Sequence, residues 1–191
     1  MNAAFTHAKY HLKRQAIALT GKVRIYNPSG QLVLFSEQKM FKIREDIRIY
    51  ADEGKAQEVL TIKARSIVDF SAAFDVVDPA YNAKVGVLRR KGLRSILRDQ
   101  WEVLDANEQL IGMLEEDSMA LALIRRFLAS IVPQNYDINA GGRRVADIKQ
   151  RFNPFRYELD IDFSMDASGV VDRRLGIAAA VLLAMVEGRQ Q

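Results

Sequence analysis

The hydrophobic positions fall into short apolar runs broken by polar turns. Four stretches repeat this pattern: RIYNPSGQLVLF (24–35), RIYADEGKAQEVLTI (48–62), DVVDPAYNAKVGVL (75–88) and EVLDANEQLIGML (102–114). Each begins apolar, passes through Asn/Asp or Ala-Asp into a short polar segment, and becomes apolar again. Asn, Asp, Gly and Pro favour tight turns for distinct backbone reasons, so these stretches read as β-hairpins. The turns recur about every 24–27 residues, which gives an antiparallel meander. No helical crossover separates the strands, so the sheet is not parallel.

The most regular strand runs from Phe155 to Phe163. Phe155, Tyr157, Leu159, Ile161 and Phe163 alternate with Arg156, Glu158, Asp160 and Asp162, so one face is expected to be buried and the other wet. Two segments read as helices. Asp117 or Ser118 caps one from about Met119 to Val132, and Pro133 stops it. The other starts after Asp172 and ends near Glu187, with Gly188 as its stop. Its core, LGIAAAVLLAMV, is apolar on every side, so protein or lipid must surround it. It is slender, because Gly176, Ala178, Ala179, Ala180 and Ala184 are small, and no bundle of similar helices exists to bury it. Ten to twelve strands, each apolar on one face, would instead curl or close. A can of about eleven strands holds a central helix. The economical solution is a mainly β (α+β) fold, an antiparallel β barrel with the last helix threaded through it.

Composition narrows the class. The chain has 191 residues, with 28 Lys+Arg against 24 Asp+Glu, a net charge of +4, 49% hydrophobic residues and no Cys. The length fits a single domain over 1–191, with its core at about 20–188. Zero Cys excludes disulfides, thiolate metal sites and a Cys nucleophile. The first fifteen residues, MNAAFTHAKYHLKRQ, contain no apolar h-region and do not read as a secretory signal. The longest apolar run, Leu175 to Val186, falls short of the roughly 20 residues that span a bilayer. The expectation is a soluble, cytoplasmic protein, peripheral where it meets a membrane.

The order of elements resembles the LURP-one-related proteins, relatives of tubby C-terminal domains and phospholipid scramblases. The stretch YELDIDFSMDASGVVDRRLGIAAAVLLAMVEG (157–188) carries the resemblance most specifically, with Asp172-Arg173-Arg174-Leu175 leading into the helix. VLRRKGLRS (87–95), followed by the 102–114 hairpin, is similar to the corresponding scramblase-like stretch. The resemblance covers about 20–188 and implies a closed barrel of about twelve strands around a C-terminal helix. The extra helix near 119–132 is not part of that pattern. It reads either as a plug at one barrel end or as an interfacial helix with Arg125 and Arg126 at lipid headgroups.

Lys84, Arg89, Arg90, Lys91, Arg94 and Arg98 form the main candidate site. No acidic residue lies between Pro79 and Arg98, so the segment offers a positive potential suited to phosphate. Arg grips phosphate with two donors. Tubby domains are similar in fold and bind phosphoinositide headgroups, so the resemblance implies an anionic lipid. The plain alternative is a solvated barrel face whose Arg residues pair with acids distant in sequence, such as Glu158, Asp160 and Asp162. Nucleic acid is disfavoured, since only Tyr81 and Trp101 could stack on bases.

Other features carry less. Asp160, Asp162 and Asp166 are similar to the calcium-binding stretch of scramblases, but an EF-hand loop fails, with Met165 and Val171 at its sixth and twelfth positions. Arg173 and Arg174 open a helix, where cations are disfavoured, so they call for fixed partners such as Asp166 or Asp172, or for a bound anion. His7 and His11 lack a third ligand and sit in an end expected to fray. Gly141-Gly142-Arg143-Arg144 reads as a turn or an anion nest. No Walker, GxGxxG, GxSxG or HExxH motif is present. The expected protein is therefore a non-enzymatic binding or scaffold module without a cofactor or metal. Its expected partner is an anionic phospholipid surface; the rivals are scramblase-like lipid handling and a protein partner with no small ligand.

Overall fold

The computed structural model describes residues 2–15, 20–39, 46–66, 72–91, 100–116, 133–153 and 155–186. Among these, twelve antiparallel strands close into one barrel. They are β1 (Lys9–Gln15), β2 (Thr20–Tyr26), β3 (Leu32–Lys39), β4 (Ile47–Tyr50), β5 (Glu58–Ser66), β6 (Ala73–Asp78), β7 (Ala83–Arg90), β8 (Gln100–Leu104), β9 (Leu110–Glu116), β10 (Asn135–Ala140), β11 (Arg143–Arg151) and β12 (Arg156–Asp162). Helix α1 (Arg173–Val186) follows. Each strand pairs with its chain neighbour, and β1 also pairs with β12, which closes the wall.

The four repeated stretches are the hairpins β2–β3, β4–β5, β6–β7 and β8–β9. In three of them, β2–β3, β6–β7 and β8–β9, an Asn or Asp side chain captures backbone N–H groups. The Asn27 side-chain oxygen accepts from the N–H groups of Ser29 and Gln31, and Asp105 accepts in the same way from Asn107 and Gln109. In both turns the fourth residue is left-handed, Gly30 at φ 78° and Glu108 at φ 65°. Gly141 and Gly142 form the two-residue turn of a fifth hairpin, β10–β11, both at positive φ as a type I′ turn requires.

α1 lies inside the barrel. Leu175 and every residue from Ile177 to Ala184 are at most 2% exposed, surrounded by inward side chains such as Leu12, Ile25, Leu60, Val103 and Ile148. Both helix ends are satisfied from within the protein, as burial demands. The Asp172 carboxylate caps the start by accepting from the Arg174 N–H at 2.9 Å. At the finish, the buried Arg14 of β1 donates from Nη1 to the Ala184 carbonyl at 2.7 Å, a cation at the negative end of the helix dipole.

Two expectations change. Residues 9–15 do not fray: Tyr10 and Leu12 are buried and β1 is an integral strand. Phe155 is not in the core; it precedes β12 and is 73% exposed, while Tyr157, Leu159 and Ile161 point inward as expected. The expected helix at 119–132 lies outside the described residues.

The helix and wall leave no spare volume. A Cβ on Gly176 would fall within contact distance of Phe163 Cε1 and Cζ, and Phe163 is itself 1% exposed. Helix propensity alone makes Gly176→Ala stabilising by about 1 kcal/mol. Overpacking against a ring that cannot move costs about 1–3 kcal/mol and should win. Urea denaturation of Gly176→Ala is expected to show a net loss of stability; a gain would mean that the barrel interior is looser than described.

Candidate functional site

The proposed basic cluster lies along β7 and beyond it. Each residue of a strand advances about 3.3 Å, so Lys84 and Arg89 stand roughly 16 Å apart along the wall, and the register shift that skips Val85 lets both face outward. Antiparallel register then decides which acids they meet.

Lys84 belongs to a four-membered network. Its Nζ lies 2.6 Å from Glu108 Oε1 and 3.6 Å from Asp75 Oδ1. Arg65 reaches the same two carboxylates, at 2.6 Å to Asp75 and 2.7 Å to Glu108. Two cations face two anions, so this group is neutral. Hydrogen bonds from Arg65 and then Lys84 hold the Glu108 carboxyl down to about 2. The pairing also raises the pKa of Arg65, chiefly through Glu108 and then Asp75.

The other end of β7 is arranged differently. Arg89 Nη2 lies 2.6 Å from Glu102 Oε2, and Lys91 Nζ lies 3.7 Å from Glu102 Oε1. Two cations therefore share one carboxylate. The Arg89 and Lys91 side chains are 47% and 42% exposed, while that of Glu102 is 15% exposed. Arg90 alternates to the other face of β7 and sits opposite Trp101 of β8. Arg94 and Arg98 lie outside the described residues. Lys84, Arg89 and Lys91 thus meet Asp75, Glu102 and Glu108, and Glu158, Asp160 and Asp162 serve other residues.

Those three carboxylates are engaged around β1 and β11. Asp160 binds His11 at 2.7 Å and Arg151 at 2.5 Å, and Asp162 binds Lys9 at 2.9 Å. Glu158 lies 3.6 Å from His11 and accepts from Asn153. Asp166 is buried and accepts from the N–H groups of Val170 and Val171, which folds the loop before α1. Among the described residues, no three His, Cys, Asp or Glu side chains converge as a metal site would require. His7 packs edge-on against Tyr10 instead of joining His11.

At the helix start, Arg174 binds Asp172 at 2.6 Å and Asp78 at 2.8 Å. Burial works to raise the Asp172 pKa, but hydrogen bonds from the Arg174 side chain and backbone, together with its charge, hold it below the usual carboxylate range. The helix dipole is thus answered by a resident carboxylate. Arg173 stacks its guanidinium over the Phe163 ring at 5.3 Å. In the Gly141–Gly142 turn, Arg143 donates to Ser168 and Arg144 to Asp137.

One feature escaped the sequence pattern. Arg151, Phe152, Phe155 and Arg156 all lie exposed in and beside the β11–β12 connection. The alternation of residues 155–163 hid it by assigning Phe155 to the inner face. The signal was present as two Phe flanked closely by two Arg, just before the strand began.

A barrel of twelve antiparallel strands filled by its own C-terminal helix is the architecture on which these groups stand. Residues 32–184 match the family model described as LURP-one-related, and the chain belongs to that family. No curated protein matches the chain significantly. No helix among the described residues is long and apolar enough to cross a membrane.

The depressed Glu108 pKa has a signed consequence. As pH falls, the unfolded state takes up this proton first, near the ordinary value of 4.5, and the folded state only at about 2. The contribution of Glu108 to stability is therefore complete above about pH 4.5 and disappears towards pH 2. The stability difference between the natural chain and Glu108→Gln, read by urea denaturation, should shrink across that window. A difference that stays constant would refute the pairing with Arg65 and Lys84.

Proposed function

We propose that this LURP-one-related barrel is a non-enzymatic binding module that recognises anionic phospholipid headgroups with the basic end of β7. The observation that carries the reading is the pair Arg89 and Lys91 sharing the single carboxylate of Glu102 while remaining nearly half exposed. A second carboxylate-like ligand, such as a phosphate, would balance that excess, and the Arg89 fork suits it. The sequence continues basic through Arg94 and Arg98. Lys84 is no longer part of the proposed site, because Asp75 and Glu108 already neutralise it together with Arg65.

The filled interior supports the same conclusion. α1 occupies the space that ligand-carrying barrels leave open, so a ligand is met from outside. α1 has 14 residues, about 21 Å of helix, against a hydrocarbon core of about 30 Å. Scramblase-like insertion of α1 would expose the barrel core and still not span the bilayer, which favours surface binding.

Flotation with neutral and anionic vesicles, at low and high salt, tests the reading. Binding should require anionic lipid and weaken with salt. Each basic residue near an anionic surface contributes about 1 kcal/mol, so Arg89→Gln with Lys91→Gln should weaken binding roughly thirtyfold. Lys84→Gln should leave it unchanged. Binding that ignores salt and survives the double substitution would refute the headgroup site.

A further inference from the structure

The two ends of the barrel differ. The turns at 27–31, 51–57, 79–82, 105–109 and 141–142, and the segment leading into α1, lie at one end. The end of β7 and the connection between β11 and β12 lie at the other, where α1 finishes against Arg14. Phe155 and Phe152 project there, 73% and 59% exposed. Among the described residues, the remaining large exposed apolar side chains, Tyr81, Leu110, Met165 and Val170, belong to the opposite end.

The two rings are held out by polar clamps. The Asn153 side-chain oxygen accepts from the Phe155 N–H at 3.0 Å, and its amide nitrogen donates to Glu158 at 3.3 Å. Gln150 accepts from the Gln134 N–H and donates its own N–H to the Gln134 carbonyl, fixing the strand just before Phe152. The connection is therefore braced while its apolar side chains face water. Arg151 and Arg156 flank them, and Arg156 makes no ion pair among the described residues.

We infer that Phe152 and Phe155 are a membrane anchor that enters the interfacial layer of an anionic bilayer while Arg156 remains at its headgroups. This rests on the reading of an anionic lipid surface and adds the apolar contact that reading lacks. Arg89, Lys91 and the Phe pair lie at this same end of the barrel. Aromatic side chains bordered by cations match the depth profile of an interface, apolar within and anionic at the edge. A second copy is the less suitable occupant, since joining two such ends would oppose like charges.

The absence of Cys makes the test direct. Phe155→Cys carries a single environment-sensitive fluorophore, and Asn82→Cys at the opposite end serves as its control. On anionic vesicles the label at 155 should brighten, shift to the blue and resist iodide quenching, while the label at 82 stays open to quencher. Phe152→Ser with Phe155→Ser should weaken vesicle binding roughly tenfold or more, at low and high salt alike. Emission from Trp101, which is 3% exposed, verifies that each variant remains folded. Vesicle binding with the 155 label still quenched would overturn the anchor and leave the headgroup site standing. Failure to bind anionic vesicles at all would overturn both. Protection at 155 that rises with protein concentration in the absence of lipid would overturn the anchor in favour of self-association.

Discussion

The structure depends on the fit between one slender helix and the wall that encloses it. Gly176 and the alanines at 178–180 and 184 keep α1 narrow, while branched residues on the strands fill the remaining radius. Gly86 makes the same concession from the wall, since a Cβ there would meet the Leu104 carbonyl and the Leu175 side chain. A helix sealed in protein also cannot leave its ends to water. Asp172 with Arg174 settles one end and Arg14 the other, so a buried arginine in a strand and an acidic residue in a loop are both consequences of where the helix lies. With the interior spent on this packing, recognition falls to the outer wall and the two ends.

The wall is a poor place for a strong field. Outward positions of antiparallel strands face one another across the ladder, and here they are occupied by opposite charges. Lys9 meets Asp162, Arg65 meets Asp75, Arg144 meets Asp137 and Arg151 meets Asp160. Such exposed pairs contribute little stability each, but they cancel the potential of the face that carries them. An excess of charge also survives where the pairing runs out, at strand ends. Arg89 and Lys91 around one glutamate, and Arg156 without an ion-pair partner among the described residues, are instances at the same end of the barrel.

Much of the fold was legible because its signals are local. Hairpins declare themselves through Asn and Asp, whose side chains build the turn regardless of the rest of the chain, and α1 through an unbroken apolar core. β1 was not legible: Arg14 occupies an inward position where the alternation of Tyr10 and Leu12 calls for a hydrophobe, and its reason for being there is the Ala184 carbonyl, 170 residues away. The candidate site was legible as composition but not as geometry. Residues 84–98 look like one basic patch in sequence, yet strand direction separates Lys84 from Arg89, and cross-strand register assigns their acids. Neither quantity can be read from spacing alone.

Phe155 shows how a strong pattern misleads at its boundary. Period two continues from Tyr157 back through Phe155 in the sequence, but β12 pairing with β1 begins only at Arg156, opposite Gln15. Beyond the last pair nothing compels a side chain to follow the pleat. Asn153 takes control instead, binding the Phe155 N–H and the Glu158 carboxylate, and the ring points to water. The polar bracing of this connection argues that its exposure is a built feature of that end of the barrel, which is what the proposed anchor requires.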